Sequence, residues 1–391
     1  MLILLSPFAK RVILQLMKPL IRAFGAVAGL LRAEYRQIYN RYFGTVERFE
    51  GDARTVGQQI LARLWAGDFY RTSLGHYNFF WMRDFGTVAD SLTHLNETTH
   101  VHYTLRWALR HYMRAGTITL CIDKSGHTFN APGKPGIDTL PWLLHSIYTS
   151  RYAMTAEEHE FLQTEVDKYV ERFLDETGDI KKDVKFAEMR DAVFYDRSAY
   201  AVALVGRLAL CAEKLRFEFP FTLTRYQEIL RKEYWTGDFL RADRASQTFS
   251  SDSALVPFYL EVLTDRDMVN ATLDYISKIE LNKPYPLKYG EVPKKPLKYR
   301  FGMGPLNMPN YTETSIWTWH ATFYLHLLHR YERPEYTEQY RKFCELIELH
   351  GSYPELLNPD ASWYNAPFYK SDPGMVWVAL FLELPEPKSV L

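Results

Sequence analysis

The chain has 391 residues with 47 basic and 47 acidic side chains, and 47% of it is hydrophobic. A formal charge of zero leaves no electrostatic footprint for nucleic acid, and the composition is that of an ordinary globular protein. Aromatic content is high at 15%, with 27 Tyr and 9 Trp, which suits flat, amphipathic walls in a ligand cleft.

The first forty residues contain "VILQLMKPLIRAFGAVAGLLRA", apolar with a basic tilt. Lys18 and Arg22 keep any uncharged run below the roughly 18 residues a membrane span needs. Residues 1–40 read as an amphipathic helical extension packed on the body of the protein, in preference to a membrane-surface role. Cys121, Cys211 and Cys344 are odd in number and widely spaced, which fits neither a disulfide framework nor a metal cluster and points to a reducing, cytoplasmic setting, with a membrane-peripheral one as the alternative.

From residue 55 onward a 3.6-residue period recurs, predicting helices near 55–66, 87–95, 101–116, 140–153, 155–175, 198–217, 224–235, 251–263, 264–279, 314–331, 333–350 and 373–384. Thr155 with Glu158, and Thr224 with Gln227, have capping-box spacing. Gly116, Gly178 and Gly351 read as helix stops. Some links are short. Others, over 117–139, 178–197, 236–250, 280–313 and 351–372, are long enough to suggest function, and would build a cleft if gathered at one end of a closed helical scaffold. No low-complexity linker divides residues 41–391, which are expected to form one domain.

Acidic and aromatic residues concentrate in these loops. "FFWMRDFG" sets Arg83 and Asp84 in an aromatic run just after Tyr77, and buried charges persist only when paired. Asp138 precedes a helix carrying Trp142, where a carboxylate could simply be a cap. Glu188, Asp191, Tyr195 and Arg197 share one segment that could be a solvated face. Glu355 follows Gly351, and Trp317 could be core. Taken together, carboxylates on separate loops of an aromatic cleft suit glycosidic cleavage, where one acid protonates the leaving oxygen and an opposed carboxylate activates water or attacks carbon. No metal or cofactor is needed, and no His/Cys spacing suggests one.

"WMRDFG" resembles the Trp-x-Arg-Asp motif of the six-hairpin, (α/α)6-barrel glycoside hydrolases, which include glucoamylases, amylo-1,6-glucosidases, trehalases and neutral invertases. "GIDTLPWLL", "FAEMRDA", "TETSIWTWH" and "HGSYPELLNPD" follow in the order of that family's other segments. The resemblance spans about residues 45–385 and implies an all-α, (α/α)6 toroid with long loops forming a cleft at one end. It further implies an exo-acting, inverting hydrolase of a terminal α-glucosyl or related residue, with Asp191 as general acid and Glu355 as general base. Tyr77, Trp81, Arg83 and Asp84 would hold the terminal sugar, with Asp138, Trp142, Tyr195, Arg197 and Trp317 contributing to substrate binding. "FAEMRDA" lacks the family's Trp two places before the Asp and offers Glu188 as a rival acid. "SDPGMVW" departs from the expected Gln-x-Trp-Ser segment. An invertase-like hydrolase of sucrose or a small glycoside, and an inactive carbohydrate-binding toroid, are the alternatives. The partner expected is an oligosaccharide or small glycoside, and the oligomeric state is open.

Overall fold

A computed structural model of the chain describes residues 46–131, 133–292, 298–299, 306–367 and 369–387, together with 27, 29, 31–32, 35–39 and 41–44. Most of the extension expected over 1–40 lies outside the described residues. From residue 46 onward the described residues form twelve α-helices: α1 Ala53–Leu64, α2 Met82–His94, α3 Thr98–Ala115, α4 Thr139–Thr149, α5 Ala156–Phe173, α6 Ala199–Leu215, α7 Leu223–Ile229, α8 Ser251–Tyr259, α9 Arg266–Lys278, α10 Thr318–Arg330, α11 Tyr336–His350 and α12 Val378–Glu383. Their positions match the twelve segments expected from periodicity to within a few residues at most ends. The largest shifts at a start, five residues each, are α12, which begins at Val378 and not at 373, and α2, which begins at Met82 and not at 87, so that Arg83 and Asp84 sit in its first turn.

The even-numbered helices close a ring: α2 packs on α4, α4 on α6, α6 on α8, α8 on α10, α10 on α12, and α12 back on α2. The odd-numbered helices form an outer layer, giving the (α/α)6 toroid. Sequence accounts for the division. In α4 every residue from Thr139 to Ile147 is buried, as expected of a helix enclosed on all sides. By contrast, α9 buries a single stripe, Met268, Val269, Thr272, Leu273 and Ile276, with charge on the opposite face. Gly86 of α2 lies against α4 so closely that a Cβ there would meet Trp142 Cβ at 2.4 Å.

Hairpin alternation sends the segments that precede the even-numbered helices to one end of the ring, where they pair with one another. β1 (Phe80–Trp81) pairs antiparallel with β2 (Cys121–Ile122), and β2 with β3 (Thr128–Phe129). β4 (Ile316–Trp317) pairs with β5 (Leu356–Leu357) in a register that sets Trp317 opposite Leu356. Two residues far apart in sequence, Trp317 and Glu355, are thereby brought to one place.

The helix ends correct three expectations. Thr155 and Glu158 do form the capping box, but Thr224 lies inside α7, whose N-cap is Thr222, and makes no cap. Gly116 and Gly351 terminate α3 and α11 in the left-handed region, with φ of 73° and 54°. Gly178 instead belongs to a turn organised by the Asp175 carboxylate, beyond the end of α5. Asp138 stands at the start of α4 without capping it, because its oxygens are used elsewhere.

Candidate active site

Arg83 is where the site is anchored. Its guanidinium is buried, and Nε donates to Asp138 Oδ2 at 2.5 Å while Nη1 donates to Asp191 Oδ2 at 3.0 Å. Asp138 is fully buried and also accepts from the Tyr200 hydroxyl at 2.8 Å, which in turn accepts from Trp142 Nε1 at 3.1 Å. A relay of four side chains from three inner helices thus fixes the guanidinium that meets Asp191. A buried cation demands this degree of pairing, since desolvating it otherwise costs several kcal/mol, of order 5.

Asp191 and Glu355 line the same cleft at the loop end of the ring. The cleft encloses about 440 Å³ of empty space, counted out to its mouth, and its walls include Tyr77, Trp81, Tyr311, Trp317, Trp319 and Trp377. Arg83 and Asp84 also reach it, so the early Arg–Asp pair lies at the cleft, as part of its lining. Asp84 accepts from Trp377 Nε1 at 3.0 Å. Burial pushes its carboxyl up to about 7, against the lowering influence of Arg83.

Glu355 is buried and held on both oxygens. The Tyr369 hydroxyl lies 2.7 Å from each, and the Asp372 amide donates to Oε2 at 3.2 Å. Burial pushes the Glu355 carboxyl up to about 7, opposed by His76 and by the Tyr369 hydroxyl. Asp372 organises this wall. Its carboxylate accepts from the amides of His76 and Tyr77 at 2.8 and 2.9 Å, from the Ser73 hydroxyl, and pairs with His76 Nδ1 at 2.9 Å. Burial alone would raise the Asp372 pKa, but His76, Ser73 and the amides together hold it below the ordinary carboxylate value. Gly75 permits the arrangement, since a Cβ there would fall 1.8 Å from Asp372 Oδ1.

Five residues expected at the site, two acids among them, are absent from the lining of this cleft. Asp138 and Trp142 are fully buried behind Arg83 and are absent from the cleft lining. Glu188 is buried and bonded to Ser198, the residue that caps α6. Tyr195 bonds Arg190 and Ser250, and Arg197 belongs to a partly exposed cluster with Asp179 and Asp196. Each of the five satisfies a structural partner, which is why none is left to face the cleft. Of the two rival acids, Asp191 is the one that lines it.

Several wall residues escaped the sequence reading, namely Tyr311, Tyr369, Asp372, Trp377 and Met189. Asp372 and Trp377 lie in or just beside "SDPGMVW", so the departure from the expected motif was itself the signal. A wider, open groove on the outside of the ring, between α5, the end of α6 and residues 217–222, is separate from these carboxylates. Among the described residues, no group of three or more His, Cys, Asp or Glu side chains is arranged to hold a metal ion.

No family model matches the chain, and no curated protein matches it in sequence. Solved structures do share its fold. One is a glycosidase E335A variant in complex with glucose, at 12% identity and TM-score 0.61, covering 91% of this chain and 96% of that one. Another is the GH63 mannosylglycerate hydrolase from Thermus thermophilus in complex with Tris and D-glycerate, at 12% identity and TM-score 0.55, covering 85% and 99%. A rhamnosidase from Klebsiella oxytoca with rhamnose bound is similar at 12% identity and TM-score 0.58, covering 86% of this chain and 64% of that one. The chain therefore has the six-hairpin (α/α)6 fold seen in these glycosidases.

Proposed function

We propose that this six-hairpin toroid is a glycoside hydrolase that removes a terminal α-glucosyl or related residue with inversion, Asp191 acting as general acid and Glu355 as general base. One observation carries the reading: Asp191 and Glu355, from loops far apart in sequence, line one aromatic cleft. The chemistry needs two opposed carboxyl groups, one to protonate the leaving oxygen and one to polarise water on the other face of the ring. Trp81, Trp317 and Tyr77 offer flat faces to the C–H surfaces of a sugar, while Arg83 and Asp84 offer hydrogen bonds to its hydroxyls. Glu355, accepting from Tyr369 and the Asp372 amide, is aimed and held for its part.

A second assignment of roles is favoured by the charge environment. Asp191 accepts from the Arg83 guanidinium at 3.0 Å, whereas burial raises Glu355 to about 7. In that version Glu355 donates the proton and Asp191 activates water. The two versions predict opposite pH limbs, as argued below.

A hydrolysis screen of the wild-type protein with α-glucosides, sucrose, trehalose and maltooligosaccharides tests the reading. Release of a terminal monosaccharide supports it, and release from sucrose alone supports the invertase-like form. Calorimetric binding of these sugars with no release overturns it in favour of a carbohydrate-binding toroid.

A further inference from the structure

Ahead of the ring, residues 27, 29, 31–32, 35–39 and 41–43 are helical. Val27, Leu31, Tyr35, Ile38 and Tyr42 recur every three or four positions along one face of this helix. All five are more than half exposed, from 56% for Val27 to 67% for Tyr42, and Phe43 beside them is 71% exposed. The rings touch along the face, Tyr35 to Tyr39 at 6.2 Å and Tyr39 to Phe43 at 5.3 Å between centroids. Seven of the twelve large hydrophobic side chains exposed among the described residues fall in this segment, so it is a patch and not the usual scatter.

Other side chains of the same helix fasten it to the ring. Arg32 pairs with Asp123 at 2.8 Å, Arg36 bonds Asn78, and Arg41 Nε donates to the Ala366 carbonyl at 2.8 Å. Lys370 Nζ reaches the Gly44 carbonyl at 2.9 Å. Asn78 and Lys370 are chain neighbours of Tyr77 and Tyr369, and Asp123 follows the strand paired with Trp81. The helix is thus strapped beside the cleft rim with its apolar face turned outward.

Charge indicates what covers that face. Residues 1–44 carry seven basic side chains and one acidic, Glu34, while the whole chain sums to zero. The remainder is therefore acidic by the same six charges. Lys10, Arg11, Lys18 and Arg22 punctuate an otherwise apolar sequence in residues 1–26 that contains no acidic residue. A sequence with unbalanced basic residues leading into an exposed face of Leu, Ile, Tyr and Phe matches an anionic bilayer interface, where phosphates attract cations and the headgroup layer accepts the rings. No helix among the described residues is long and apolar enough to cross a membrane.

We infer that the exposed face of residues 27–43 docks the protein on an anionic lipid surface, holding the cleft mouth at the headgroup layer. Resting on the glycoside hydrolase reading, the substrate class that follows is a sugar carried on a membrane lipid. Such a substrate presents its polar end at the level where the helix holds the cleft.

Co-sedimentation of the full chain with vesicles of phosphatidylcholine alone, or mixed with phosphatidylglycerol, tests the docking. Binding to the mixed vesicles is expected to exceed binding to neutral ones by about tenfold or more and to weaken with salt. The double variant Leu31→Glu/Ile38→Glu, checked for unchanged circular dichroism, is expected to lose about tenfold or more of it. Equal or absent binding to both vesicles overturns the inference. So does a concentration-dependent dimer that the double variant abolishes, since a second copy then covers the face. Hydrolysis of an α-glucosyl diacylglycerol in the mixed vesicles, reduced in the double variant, supports the substrate class. Release from soluble glucosides without vesicle binding overturns this inference and leaves the hydrolase reading standing. Vesicle binding with no glycoside cleaved supports docking and overturns the hydrolase reading.

Discussion

Arg83 joins Asp138 to Asp191, donating through Nε to the first at 2.5 Å and through Nη1 to the second at 3.0 Å. A buried cation shared between a structural carboxylate and one at the cleft ties the stability of the ring to the geometry of its site.

Replacing Arg83 by Met strands the Asp138 charge in the core, and breaking a buried pair in this way costs about 3–5 kcal/mol. Arg83→Met is expected to lower the midpoint of urea unfolding accordingly. Combining it with Asp138→Leu is expected to recover part of the loss, because the two residues are coupled. A double-mutant cycle in urea reads that coupling, and additive losses would contradict the pairing.

With Glu355 as base, activity requires its ionised form. Its pKa of about 7 then makes kcat/KM fall as pH drops below about 7. Tyr369→Phe removes a hydrogen bond that lowers the Glu355 pKa, so the acidic limb should move to higher pH, by about one unit. A profile that instead falls as pH rises through 7 exchanges the roles of Glu355 and Asp191.

The same raised pKa has a stability consequence of opposite sign to that of a salt-bridged carboxylate. Below the ordinary value of 4.5 the group is protonated in both folded and unfolded chains and contributes no difference. As pH rises toward 7 the unfolded chain releases the proton first, so stability is lost across that window, by an amount on the order of 3 kcal/mol for this group. Glu355→Gln is therefore expected to melt higher than wild type at pH 8 and equally with it near pH 4, by differential scanning fluorimetry. The gain marks a site held in a costly ionisation state for activity.

The helices were legible because a 3.6-residue period recurs along the chain, whereas the toroid followed from the order of the motif segments and their resemblance to the six-hairpin family; the burial difference between its layers shows in α4 and α9. Arg83 and Asp84 stood out because charges set in an aromatic run need partners or a polar cavity, whereas Asp191 and Glu355 stood out through the resemblance of their segments to the family's. Which way a side chain faces was less so. Asp138 and Trp142 occupy motif positions, yet both are committed to the Tyr200 and Arg83 relay, and sequence spacing does not reveal that a carboxylate already has its partners. Tyr369 and Asp372 were missed because their contacts to residues 73–77 join loops separated by most of the chain, and those to Glu355 depend on how residues 351–372 fold back on themselves.

Gly75 gives a test of the Asp372 wall. Gly75→Ala places a Cβ 1.8 Å from Asp372 Oδ1, which forces the carboxylate off the His76 and Tyr77 amides, at a cost of about 1–3 kcal/mol. Thermal melting should show that loss. Because Asp372 aims Glu355 through its amide, kcat should fall while KM changes little.

The central claim, that Asp191 and Glu355 act as a pair across one cleft, is tested most directly by single-turnover hydrolysis of a terminal α-glucoside by wild type, Asp191→Asn and Glu355→Gln. Each substitution is expected to lower the rate by about 10²–10⁴-fold, as for loss of a general acid or base, with calorimetric sugar binding retained. Near wild-type rates in both variants, with the protein folded, would contradict the account.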